Sequence, residues 1–78
     1  MENITNYEAL EAWYLDRITA GEGEEVGSLD SYEDETGFIW FITKTGANTY
    51  DLTTEANPFP FAEGRTDENG QPTIIYYN

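Results

Sequence analysis

Seventy-eight residues allow one small domain, and sixteen Asp and Glu against three basic residues give it a formal net charge of −13, with no histidine. A field of that sign repels nucleic acid and anionic membranes and attracts basic surfaces. The absence of both Cys and His removes thiolate and imidazole chemistry, disulfides and soft-metal sites together.

High charge with few hydrophobic residues signals disorder. Here twelve aromatic residues stand in patterned segments, so a folded domain spanning residues 1–78 is expected, alone or on association. Such a domain buries only about 60% of its unfolded surface, and a partner or second copy would add to that. No apolar run reaches the roughly 18 residues of a membrane span. Glu2 stands where a leader would be basic. The expectation is a complete, cytoplasmic protein.

Residues 5–20 predict an amphipathic helix. Thr5 and Glu8 have capping-box spacing, and Leu10, Trp13, Tyr14 and Ile18 share one face. Gly21 stands where a C′ glycine ends a helix. After an acidic, glycine-bearing link, residues 26–33 predict a weakly patterned strand, closed by a turn at Asp34-Glu35-Thr36-Gly37. Residues 38–44 give the clearest strand, a short loop follows, and residues 49–54 alternate as a third. Asn57-Pro58-Phe59-Pro60-Phe61 is expected to be an extended aromatic loop, since two prolines remove ladder donors. A turn around Asn69-Gly70 leads to a last strand at 73–77. The fold class is α+β: one N-terminal helix packed on a three- to four-stranded antiparallel meander.

The strand at 38–44 is apolar on both faces, with Phe38, Trp40 and Ile42 opposed to Ile39 and Phe41. One helix covers one face. Phe59 and Phe61 would cover the other by folding back; otherwise that face is an interaction or homodimer surface.

Catalytic parts are missing. Ser28 and Ser31 have no base, no glycine-rich phosphate loop is present, and so small a domain offers little room for a two-carboxylate substrate cleft. The acids after Asp30 do not fit a calcium loop, because its sixth and twelfth places are Glu35 and Phe41. No enzyme, cofactor or dedicated metal site is expected.

Seven acids fall between residues 22 and 35. The candidate partner-binding residues are Glu22, Glu24, Glu25, Asp30, Glu33, Asp34 and Glu35, with Tyr32 and Trp40 as aromatic anchors. Glu33 and Glu35 would lie about 6.6 Å apart on one side if the strand ran on to its turn. In composition the chain resembles small acidic phage or plasmid inhibitors of restriction, CRISPR or DNA-processing machinery, and no residue motif carries family sites over. Three readings stay open. The chain mimics nucleic acid and occupies a basic nucleic-acid-binding surface. It binds a basic protein partner through aromatic anchors such as Tyr32, Trp40 and Phe59, as immunity proteins, antitoxins or adaptors do. Or its acidity is an adaptation to salt.

Overall fold

The computed structural model of the chain describes residues 5–21 and 23–77, with side chains from Glu8 onward. Helix α1, Thr5–Ala20, is followed by β1 (Leu29–Glu33), β2 (Ile39–Lys44), β3 (Thr49–Thr54), β4 (Asn57–Thr66) and β5 (Pro72–Tyr76). The strands form one antiparallel sheet in chain order. The α+β class is as expected, with five strands rather than three or four. No helix among the described residues is long and apolar enough to cross a membrane.

The helix buries Leu10, Tyr14 and Ile18, the i, i+4, i+8 stripe of its period. Trp13, expected on the same stripe, is only half-buried and lies beside Tyr32, ring centroids 5.3 Å apart. The Thr5 side chain of the expected capping box lies outside the described residues. Gly21 is needed for space rather than for a left-handed backbone. A Cβ there would meet the Tyr50 hydroxyl at 2.7 Å and the Arg17 carbonyl oxygen at 3.0 Å.

Rows of paired residues set the two sheet faces. Asp30, Ile42, Leu52, Ala62 and Tyr76 lie side by side across all five strands, with Ile42, Leu52 and Ala62 buried beneath the helix. The neighbouring row, Lys44, Tyr50, Gly64 and Ile74, faces the same way. Tyr14 donates its hydroxyl hydrogen to the Phe41 carbonyl, and Tyr50 donates to the Ile18 carbonyl, so two phenols cross the layer boundary. Burial, with Tyr76 nearby, pushes the Tyr14 pKa far above its ordinary range.

Two expectations are corrected here. The first strand begins at Leu29, not Val26, because Gly27 takes a left-handed φ of 101° and Val26 and Gly27 form a turn closed by Ser28 N donating to the Glu25 carbonyl at 3.2 Å. The segment from Asn57 to Phe61, expected as a loop, is the first half of β4. Its prolines are tolerated because they lie where the β3–β4 register slips between Leu52 and Thr54, and beyond the Ala62–Tyr76 pair that ends the β5 register.

That slip also decides how Phe59 and Phe61 lie. Phe61 turns to the helix face, its ring centroid 6.2 Å from Tyr14 and 5.7 Å from Trp40. Phe59 stays 73% exposed. Neither covers the far face, which keeps Leu29, Ile75 and Tyr77 exposed. The far face also carries a cross-strand pair of like charge, Asp51 opposite Glu63.

Gly64 lets the helix approach the sheet. A Cβ there would stand 2.7 Å from Ile18 Cδ1 and 3.3 Å from Leu52 Cδ1, both side chains fully buried. Gly64→Ala should therefore cost about 1–3 kcal/mol by overpacking. In an Ile18→Val background, where Cδ1 is gone, the same substitution should cost distinctly less. Thermal melts of the four proteins in this cycle measure the coupling, and strict additivity would show that the two residues are not in contact.

Candidate functional site

All three basic side chains are engaged by the chain's own groups. Lys44 is buried, and its Nζ donates to the carbonyls of Gly21 at 2.8 Å and Ala47 at 3.2 Å and to the Tyr50 hydroxyl at 3.4 Å. Its ammonium thus sits at the negative end of the helix. Arg17 NH2 lies 3.4 Å from Glu24 Oε2, and Arg17 Nε lies 2.8 Å from Asp30 Oδ2, too far off the N–H axis to be a hydrogen bond. Arg65 donates to Glu63 at 2.8 Å, which raises the guanidinium's pKa. The three arginine ion pairs are partly exposed and contribute little to stability. Their effect is to remove positive charge from the surface rather than to hold the fold.

The acidic candidates divide into four groups, Asp34 forming the last by itself. Glu22 lies outside the described residues. Glu24 and Asp30 are the partners of Arg17, around a cavity of about 110 Å³ that Lys44 also lines. Glu25, Glu33 and Glu35 are exposed, on or beside the edge strand β1. Glu33 ends β1 and Glu35 stands in the turn beyond it, so the two are not consecutive same-side residues of one strand. Tyr32 and Trp40 are opposite each other in the β1–β2 register, both half-buried on the helix face.

Asp34 has a structural task. Its Oδ1 accepts from Thr36 N at 2.9 Å, Thr36 Oγ1 at 2.6 Å and Phe38 N at 3.1 Å, and its Oδ2 accepts from Trp40 Nε1 at 3.0 Å. Gly37, at φ 90°, closes the turn. The same device recurs between β4 and β5: Asp67 Oδ1 accepts from Asn69 N and Gln71 N, both at 2.8 Å, and Gly70 takes φ 83°. Both turns read Asp-Glu-Xaa-Gly. The aspartate oxygen bonds backbone N–H groups two and four residues on, and glycine supplies the left-handed residue. The Thr36 hydroxyl, then the Trp40 indole and the turn's N–H groups, pull the Asp34 carboxyl down to about 2.

Beside Trp40 lies a feature that the sequence does not announce. An aromatic cleft of about 660 Å³ opens between the N-terminal half of α1 and the sheet. Leu10, Tyr14, Phe38, Trp40, Phe59, Phe61 and Tyr76 line it, with Thr54 and Asn57 between strands and Glu8 and Glu11 on the helix side. Trp40 meets Phe38 and Phe61 edge to face, centroids 5.2 and 5.7 Å apart. Tyr76 donates its hydroxyl hydrogen to Glu11 Oε2 at 2.5 Å. Of these, the sequence points to Trp40 and Phe59 as aromatic anchors. Glu8 and Glu11 read in sequence as acids suited to the positive end of the helix, and the register slip that turns Phe61 inward leaves no trace in local pattern.

Among the described residues no three Asp or Glu side chains gather as a metal-holding group. No protein-family model, curated protein or solved structure matches the chain.

The Asp34–Trp40 bond can be followed directly. In a Trp13→Phe background Trp40 is the sole tryptophan, and Asp34→Ala should shift its emission and lower the melting temperature. The depressed carboxyl stabilises the fold fully above the unfolded value of about 3.9 and loses that contribution as pH falls through its folded value. Acid titration of Trp40 emission should therefore have its midpoint near 2. A midpoint near the ordinary carboxylate value would show that Asp34 does not hold the indole.

Proposed function

We propose that this chain is a non-catalytic acidic inhibitor that occupies a basic, nucleic-acid-binding surface of a target protein, presenting carboxylates where the target expects phosphates. The observation that carries this reading is the complete internal use of its cations. Lys44 serves the helix end, Arg17 serves Glu24 and Asp30, and Arg65 serves Glu63. What remains toward solvent around β1 is negative, with Glu25, Glu33 and Glu35 exposed. Proteins that bind nucleic acid meet its phosphates with Lys and Arg, and the same groove accepts a rigid acidic surface.

A second reading, binding to a basic protein without imitation of nucleic acid, draws on the aromatic cleft, since buried aromatics anchor protein interfaces. The far sheet face carries Asp51 and the Arg65–Glu63 pair, so its charge does not by itself select a second copy.

Glu25, Glu33 and Glu35 make no ion pair among the described residues, so replacing all three with Gln should leave the melting curve intact. Against a panel of purified nucleic-acid-binding proteins, the triple variant should associate about tenfold more slowly at low salt, because long-range steering is lost. The difference should fade toward 1 M salt, where the Debye length is about 3 Å. Duplex DNA or RNA should compete with the chain for its target. A target that holds nucleic acid and this chain together, with undiminished affinity for each, would exclude mimicry.

A further inference from the structure

We infer that the aromatic cleft seats an arginine side chain carried on an extended, basic segment of the partner. The inference rests on the proposed function for the partner's charge; the cleft supplies the chemistry. A guanidinium is planar, weakly hydrated and always charged, and it stacks on ring faces while its N–H fork pairs with carboxylates. The cleft offers both kinds of contact. Trp40 stands edge to face with Phe61, and its indole nitrogen is committed to Asp34, so the ring is fixed before anything binds. Glu8 and Glu11 stand at the helix wall. One oxygen of Glu11 accepts from Tyr76; among the described residues no donor takes Glu8 or the other Glu11 oxygen.

Charge complementarity selects the occupant. The chain's net charge is −13, and none of its three cations lines this cleft. An acidic occupant would be repelled, and a purely apolar one would leave Glu8 and Glu11 idle at the rim. Lysine fits less well, because its ammonium is a strongly hydrated point charge that gains little from ring faces. The volume of about 660 Å³ lies within the range of ligand clefts, roughly 300–1,000 Å³, and admits the residues flanking the arginine as well.

The test uses the full chain with Trp13→Phe, so that emission reports Trp40 alone. It is titrated with a short glycine-flanked arginine peptide, the matching lysine peptide, and the same peptide with citrulline, the neutral isostere of arginine. The arginine peptide should change Trp40 emission saturably. The citrulline peptide should bind about tenfold more weakly, as loss of a charge-assisted pair predicts. Glu8→Gln with Glu11→Gln, and separately Phe59→Ala, should each weaken arginine-peptide binding several-fold, on the order of threefold to tenfold. Phe59 is exposed and carries no core, so its variant should melt with the parent. Glu25→Gln, Glu33→Gln and Glu35→Gln together should weaken arginine-peptide binding less than the Glu8→Gln with Glu11→Gln variant does, and by no more than about twofold at 1 M salt, where the Debye length is about 3 Å.

Equal binding of the citrulline and arginine peptides would overturn the inference in favour of an apolar occupant. Equal loss from the Glu25/Glu33/Glu35 variant would overturn it in favour of diffuse charge attraction, and so would a silent Trp40. The two proposals fail separately. Arginine-peptide binding with no nucleic-acid-binding target retained leaves the cleft and removes the mimic. A retained target that is indifferent to Glu8, Glu11 and Phe59 does the reverse.

Discussion

A single helix has to close one whole face of a five-stranded sheet, and the way it approaches that sheet shapes the rest of the molecule. Under its C-terminal half the sheet offers no bulk at Gly64, so Ile18 packs almost onto backbone beside Leu52. Gly21 then lies against Tyr50, and Lys44 reaches the Gly21 carbonyl. Under its N-terminal half the sheet offers rings: Trp40, Phe61 and Tyr76. Small residues bring the layers together at one end and large ones hold them apart at the other. The aromatic cleft is the space that results.

Charge is the second constraint. A net charge of −13 on so small a core would press the chain open unless the acids are placed with care. Some are turned to structural use. Asp34 and Asp67 each fold a hairpin turn, Asp30 is drawn to the helix by Arg17, and Glu11 takes the Tyr76 hydroxyl. Others are tolerated on the far sheet surface, where Asp51 faces Glu63, Arg65 pairs with Glu63 and water screens the remainder. The scarce cations are all engaged by the chain's own carbonyls and carboxylates, and the outward field stays negative.

The acidic edge and the cleft are joined through one bond. Asp34 belongs by sequence to the acidic stretch, yet its carboxylate holds the indole of Trp40, a wall of the cleft. A protein that meets a basic partner gains from such a link. Its diffuse acids guide the encounter and its rings fix the final pose, two tasks that differ in range and in salt dependence.

The sequence by itself determined the helix, the turns and the strands other than β4, because each is a local signal. Leu10, Tyr14 and Ile18 recur at the helical period, Asp and Gly mark the turns, and Thr49–Thr54 alternates. It also determined the sign of the field, which is a property of composition. Other features came only with the tertiary structure. Lys44 reads as the polar end of a strand and is instead buried under the helix terminus, since its partners are carbonyls and a phenol up to 23 positions away. The prolines at 58 and 60 read as strand breakers and lie within β4, because the damage a proline does depends on whether a neighbouring strand needs its N–H at that point. Glu8 and Glu11 read as acids at the positive end of the helix until Phe59 and Phe61, more than forty residues on, complete the cleft beside them. Periodicity carries information along one element, and pairing register between elements is settled by packing alone.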